Sequence, residues 1–404
     1  MDKQSRNIWW GPPRSINEAV NERKISWLEL FYDLVYVAVI AQLTGYLASN
    51  FSWESAGLVF FIFSLVFWSW LNGSNYHDLH GSTGIRTRFI TLFQMFAVAA
   101  VAITLNDLFD GNHIPFATAF AIVQALITYL WYSVGYYDPS HKILNKYFSI
   151  FYSLSFILLI VSIFTNIQIA YYLWAIVVIL NFSAVVFAGP VTVRELKARG
   201  LVSTTSKSII ERIGLFTIIV LGENILGVVH GIGHISDKSP QVWMVFLLGI
   251  LIVFLIWWIY FDVLGESEAK PGYGNFLIFN TLNLPLLGAM AISGSALRVI
   301  TEEIAHPEHH SAIWIFGFAL AVILTCIVCI TSIMVFEEVE KPVMKKLNGL
   351  IALAIVGIII TTILNNYLST ILFMIIIAAI LLITVFTGTK MWVQFKMFES
   401  KKLE

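Results

Sequence analysis

The stretch Ser208-Ile-Ile-Glu211-Arg212-Ile-Gly-Leu-Phe-Thr-Ile-Ile-Val-Leu-Gly222-Glu223-Asn224-Ile-Leu-Gly227 has the apolar length of a transmembrane helix, yet it carries two carboxylates, a guanidinium and an amide. Ionisable groups in hydrocarbon cost several kcal/mol each, and they face a partner or a cavity. At 100° per residue, Arg212 and Glu223 lie within about 20° of one helix face and roughly 16 Å apart along the axis. Arg212 falls near one end of the span and Glu223 near its middle. An ungapped shift that lays Glu29 on Glu211 also lays Gln42 on Asn224 and Gly45 on Gly227. The first hydrophobic stretch, which opens Leu28-Glu29-Leu30-Phe31-Tyr32-Asp33, is therefore a relative of this one within the same chain.

The rest of the chain has the same character. Its 404 residues are 58% hydrophobic and only 12% charged, with a mean hydropathy of +0.81. Soluble domains are about 25% charged. Between clusters of charge lie apolar runs of about 20 residues, the length that crosses a bilayer core of roughly 30 Å. A net charge of -1 gives no footing for nucleic-acid binding. Residues 1–26 form a polar, basic arm with Pro12 and Pro13; it does not read as a signal peptide, and Trp9 and Trp10 suit the headgroup level.

Twelve spans are expected: 27–49, 53–72, 86–109, 114–137, 143–164 and 168–189, then 208–230, 240–263, 275–299, 311–334, 343–364 and 367–389. With the N-terminus in the cytoplasm, every Lys and Arg except Lys238, Arg298 and the intramembrane Arg212 falls on the cytoplasmic side. Both termini are thus expected inside, in the plasma (inner) membrane. The basic linker 190–207 separates two sets of six spans, 27–189 and 208–389, and residues 390–404 form a cytoplasmic tail. An even number of spans per half makes the halves parallel repeats. Further pairs support this: Trp68-Ser-Trp70 against Trp257-Trp258, and Gln94 against Asn283 at a slightly larger offset. The expected fold is an all-α polytopic membrane protein of two parallel six-helix repeats.

Three blocks also carry a family resemblance. Trp27-Leu-Glu29-Leu-Phe-Tyr-Asp33-Leu-Val-Tyr-Val resembles the W-L-E-L-F-F-D-L-V-F-V opening of the low temperature requirement protein A (LtrA) family. Glu211-Arg212-Ile-Gly-Leu-Phe-Thr-Ile-Ile-Val-Leu-Gly222-Glu223 resembles its E-R-F-G-L-F-T-I-I-V-L-G-E segment, and Trp257-Trp258-Ile-Tyr-Phe-Asp262 resembles a third block. The resemblance runs across essentially the whole chain. It implies a bacterial-type multi-pass membrane protein connected with growth in the cold, and it implies no particular reaction. Where the family is associated with histidines, this chain holds Ser208 and Asn283.

Several constellations can carry chemistry. Glu29 and Asp33 are i and i+4 on one face of the first span, and either can neutralise Arg212. A fixed ionic lock is the plainer account of Glu29, Asp33, Glu211 and Arg212; a charge gate is the alternative. Glu223 is deep and has no basic residue nearby in its own span, so it is read as the carboxyl group that exchanges a proton with a substrate or coupling ion. Gln42, Asn224, Gln94 and Asn283 are read as a polar lining. Asn280, Asn283 and Pro285 suggest an interrupted ninth span, with a simple proline kink whose amides bond neighbouring helices as the plainer account. His77-Asp78-Leu-His80 and His306-Pro-Glu308-His309-His310 read first as ordinary loops. Gly222 and Gly227 read first as helix-packing residues, and Cys326 and Cys329 as packing thiols.

No phosphate-binding loop, metalloprotease motif or soluble nucleotide domain is visible, so no metal, cofactor or ATP-driven pump is expected. The leading expectation is a secondary transporter of a small solute or ion in the lipid bilayer. The runner-up is an intramembrane enzyme acting on lipid or a lipid-linked intermediate through the buried carboxylates with His77, Asp78 and His80; a sensor or scaffold is the third alternative. No residue is assigned a catalytic role, and the oligomeric state is left open.

Overall fold

The computed structural model describes residues 11–14, 24–82, 84–138, 142–198, 200, 202–233, 235, 239–265, 267–302 and 310–403. Among them are twelve helices long and apolar enough to cross a membrane. They are α1 Trp27–Ser49, α2 Trp53–His80, α3 Ile85–Phe109, α4 Ile114–Tyr137, α5 Lys142–Ile163 and α6 Ile167–Ala198. Then come α7 Lys207–Gly233, α8 Pro240–Leu264, α9 Tyr273–Glu302, α10 His310–Thr331, α11 Lys341–Ile363 and α12 Thr370–Leu403. The described residues contain no strand, only an isolated antiparallel bridge between Ala269 and Met334. Long helices satisfy every backbone group internally, which hydrocarbon demands. Leu353, Ile383 and Phe386 are 61–70% exposed on the same helices that bury Ile351, Ile358 and Leu381. Such helices are apolar on both faces, as lipid contact requires.

The helix starts are written in short polar residues. Ser52, Ser206 and Ser369 each accept the N–H of the residue three further on, from Ser55, Ile209 and Leu372, and the Asn166 side chain accepts that of Ile169. Ser26 does the same for Glu29, whose carboxylate reaches back to the Ser26 N–H, a reciprocal capping box. Pro115, Pro240 and Pro342 open α4, α8 and α11, where the missing N–H costs nothing.

Three expectations are corrected. The second span does not end at residue 72: α2 runs to His80, so His77 and His80 lie on a helix, 2% and 4% exposed, rather than in a solvated loop. The sixth passes Pro190 and ends at Ala198, inside the stretch read as linker. The ninth is a continuous helix through Pro285, not an interrupted one. A membrane helix tolerates proline because neighbouring groups take up the freed carbonyl. Trp9, Trp10, His306, Glu308 and His309 lie outside the described residues.

The chain forms two compact units. The first holds Met1–Leu43, Phe61–Phe216 and Pro271–Asn280; the second holds Thr44–Phe60, Thr217–Lys270 and Thr281–Glu404. In the first, α3, α4, α5 and α6 pack in sequence order. Its interior includes a reciprocal amide pair, Gln124 with Asn181, and Trp70 stacked on Phe216 at 4.3 Å between ring centroids. Gly272, at φ 124°, turns the chain into α9 and donates its N–H to Ser203 O at 2.7 Å. In the second unit, α10, α11 and α12 pack in order, and α8 packs against α10 and α12. There α7 and α9 approach closely: a Cβ on Gly227 would lie 2.7 Å from Gly294 O.

Candidate functional site

The first unit buries a guanidinium with two carboxylates. Arg212 is 0% exposed, Asp33 1% and Glu29 3%. Arg212 grips Asp33 with two donors, Nε to Oδ2 at 3.1 Å and Nη2 to Oδ1, a fork that lysine has no geometry to copy. Its Nη1 lies 3.6 Å from Glu29 Oε2 and 3.5 Å from Ser74 O, to which it donates. The Tyr32 ring centroid is 5.9 Å from the guanidinium carbon. Trp70 Nε1 donates to Asp33 Oδ1 at 2.7 Å, and Ser26 Oγ donates to Glu29 Oε1 at 2.6 Å. Tyr32, Tyr36 and Ser69 continue the polar chain through hydroxyl contacts of 2.9 and 3.3 Å. Gly73 leaves room for Tyr32: a Cβ there would meet the Tyr32 ring at 3.0 Å. Charge-assisted bonds contribute about 1.5–3 kcal/mol each, set against the several kcal/mol that burying each ionised group costs.

One turn further along α2, the Asp78 carboxylate accepts from Ser206 Oγ at 2.8 Å and from Ser208 Oγ. Those serines begin α7, so a negative charge lies where the helix dipole favours it. Arg14 donates to Asp78 O, and its own N–H donates to His80 O at 3.0 Å. His80 Nδ1 is 3.0 Å from Arg14 O, and His77 Nε2 is 3.4 Å from Thr91 Oγ1.

The second unit holds Glu223, half-buried on α7. Its carboxylate accepts from Thr44 Oγ1 at 3.0 Å, and no ion pair reaches it among the described residues. Asn224, the next residue, is fully buried; its Nδ2 donates to Ser293 Oγ at 3.1 Å, while its Oδ1 is buried with no hydrogen-bond partner among the described residues. Ser295 Oγ donates to Thr44 O at 3.1 Å. A Cβ on Gly222 would meet nothing within 4 Å, so Gly222 does not make the close helix contact expected of it, whereas Gly227 does.

Glu29, Asp33 and Arg212 come together as their residue types demand, and Glu211 is exposed, one position round the helix from Arg212. The expected lining residues are distributed. Gln42, half-buried, and Gln94, 2% exposed, belong to the first unit; Glu223, Asn224 and Asn283, the last 1% exposed, belong to the second. Asn280 Nδ2 is turned back to Phe276 O on its own helix. Sequence reasoning missed Trp70, Ser74, Ser26 and Thr44. Of these only Ser26 has a readable signal, the Ser-x-x-Glu spacing to Glu29. No group of three or more His, Cys, Asp or Glu side chains placed to hold a metal occurs among the described residues.

The family model described as "Bacterial low temperature requirement A protein (LtrA)" matches residues 24–386, a stretch that begins just before the Ser26–Asp33 signature and includes Arg212 and Glu223. An uncharacterized protein of Rhizobium meliloti is 26% identical over 316 residues, covering 75% of each chain. A match over nearly all twelve helices means that the chain belongs to the bacterial low temperature requirement A (LtrA) family of integral membrane proteins.

Proposed function

We propose that this protein is a secondary transporter of a small solute or ion, with Glu223 as the carboxyl group that exchanges a proton. The observation that carries the reading is the contrast between two intramembrane acidic sites. Asp33 and Glu29 are sealed, paired with Arg212 and further hydrogen-bonded, which suits a lock or gate that opens by a large rearrangement. Glu223 is half-buried, has no cation among the described residues and is held by one hydroxyl, which suits a group that must gain and lose a proton.

Gln42, Asn224, Gln94 and Asn283 are proposed as polar lining. The two halves of the chain are proposed to be parallel repeats. In support, α4–α6 in one unit and α10–α12 in the other each pack in chain order, and the two sets correspond under the pairing of the sequence halves. Both termini are proposed to lie in the cytoplasm, which the distribution of Lys and Arg supports, and the membrane is proposed to be the plasma membrane. A lipid-modifying enzyme has less support. His77 and His80 are buried, and the Asp78 carboxylate is engaged by Ser206 and Ser208.

The test is proton flux in proteoliposomes loaded with a pH dye and challenged with a panel of small solutes, wild type beside Glu223→Gln. A solute-dependent flux, lost in the variant with the fold intact, is expected. A flux that survives Glu223→Gln removes Glu223 from the path, and no flux with any solute favours the lipid enzyme.

A further inference from the structure

Within the second unit, the free ends of the α11–α12 hairpin carry exposed lysines. Lys345 and Lys346 lie in the second turn of α11 and Lys390 on α12, and none of them takes part in an ion pair among the described residues. The acids nearby stand before α11, further from the middle of the span. Glu338 pairs with Lys341, Glu340 accepts the Glu337 N–H at 2.9 Å, and Glu337 is exposed beyond them. The three lysines share one depth. A Cβ on Gly388 would lie 2.9 Å from Leu347 Cδ1, so the turn of α11 that follows Lys345 and Lys346 packs beside the turn of α12 that leads into Lys390.

Their faces are those that meet lipid. Lys346 is followed seven residues on by Leu353, and Lys390 is preceded seven residues back by Ile383, both exposed apolar side chains. On helical geometry each lysine lies within about 20° of the same face and about 10.5 Å further along the axis. Lys345 stands in the same relation to the exposed Ala352. A lysine that only set topology would need no particular face. One placed beyond lipid-contacting side chains, on their own face, holds its ammonium among the headgroups of the lipids those side chains touch. Helix α12 carries this surface outward, because it does not stop where its apolar run ends. Its 34 residues span about 51 Å, against a hydrocarbon core of roughly 30 Å. Past Lys390, Trp392 stacks on Phe395 at 5.7 Å between ring centroids, an aromatic pair suited to headgroup depth.

We propose that Lys345, Lys346 and Lys390 form a docking surface for the phosphates of an anionic lipid leaflet. The argument is charge complementarity at a fixed depth: three exposed cations with no carboxylate among the described residues, on the faces that carry Leu353, Ile383 and Ala352. The sequence continues the positive charge along α12 with Lys396, Lys401 and Lys402. Each lysine near an anionic surface strengthens attachment about fivefold. A soluble acidic partner would approach from the side opposite the bilayer, whereas these faces run into the lipid. The inference is independent of the transport reading, since it needs neither Glu223 nor a solute.

The test places the full chain in nanodiscs of phosphatidylcholine, with and without phosphatidylglycerol, and follows amide exchange by mass spectrometry. Exchange in the first turns of α11 and over residues 390–403 is expected to be about fivefold slower, or more, with phosphatidylglycerol. The difference should vanish in about 1 M salt, where charges are screened beyond about 3 Å. It should also vanish when Lys345, Lys346 and Lys390 are all replaced by Gln, and persist when all three are replaced by Arg. Wild-type exchange that ignores lipid charge overturns the proposal, as does a difference that survives the glutamine variant. Slowing spread evenly over all twelve helices points to general stabilisation and overturns the docking surface. Inorganic phosphate that reproduces the slowing in phosphatidylcholine alone overturns the lipid source in favour of a free anion.

Discussion

Replacing Arg212 by glutamine removes both donors to Asp33, the 3.5 Å bond to Ser74 O and the counter-charge of Glu29 at once. Among the described residues Asp33 keeps only the Trp70 indole, so its carboxylate stands buried without the guanidinium that paired it. Breaking a buried pair from one side costs about 3–5 kcal/mol. Asp33→Asn breaks the same fork from the other side at similar cost, because the amide N–H confronts a guanidinium donor. The double variant loses the fork only once. Simple addition gives about 6–10 kcal/mol, whereas the pair argument leaves the double close to either single, a coupling of about 3–5 kcal/mol. The four proteins would be unfolded in mixed micelles by increasing dodecyl sulfate and followed by circular dichroism. If the single costs add to within about 0.5 kcal/mol, the two side chains do not act as a unit and the lock reading fails.

The two glycines near Asn224 should behave oppositely. Gly294→Ala brings a methyl to 2.8 Å from Asn224 Cγ and 3.0 Å from its Cα, and should cost about 1–3 kcal/mol in the same unfolding assay. Gly222→Ala, with nothing within 4 Å, should be neutral or slightly stabilising, since alanine is the better helix former. Ser26→Ala removes the side-chain arm of the α1 capping box, leaving the backbone N–H arm, and should cost about 1 kcal/mol, visible as faster amide exchange confined to the first turn of α1. Thr44→Val withdraws the hydroxyl from Glu223 and should cost no more than about 1.5 kcal/mol of stability while altering proton flux in proteoliposomes. Unchanged flux in Thr44→Val separates that hydroxyl from the transport step.

The twelve helices were legible because a span is a question of length and apolarity, and interruptions by charge are plain to see. Their ends were less so. Gly73-Ser-Asn-Tyr76-His77-Asp78-Leu-His80 looks like a loop by polarity, but its polar groups are consumed inside the bundle: Tyr76 packs on Trp131, and Asp78 meets the start of α7. Composition cannot report such tertiary satisfaction. The Arg212 group was half legible. An intramembrane guanidinium demands an acid, and Glu29 and Asp33 were the acids spaced to answer it; nothing in the chain says that Trp70 would point its N–H at the same carboxylate. Arg86, 1% exposed, was counted as one more cytoplasmic charge, because burial at a helix end leaves no mark on the sequence.

The lock also has a history in time. Arg212 and Asp33 are 179 residues apart in the chain, and Trp70 and Ser74 as well as both carboxylates precede the arginine. At about 5–20 residues per second, the ribosome needs roughly 10–40 s to travel from the acid to its base. For that interval α1 is already made, and its acidic groups must be sheltered at the bilayer surface or by the insertion machinery. The fork closes only when α7 arrives, so final assembly of this part of the molecule waits for a late-synthesised helix. A nascent chain arrested before Arg212 should remain a substrate for membrane quality control, whereas one arrested after α7 has entered should begin to escape it.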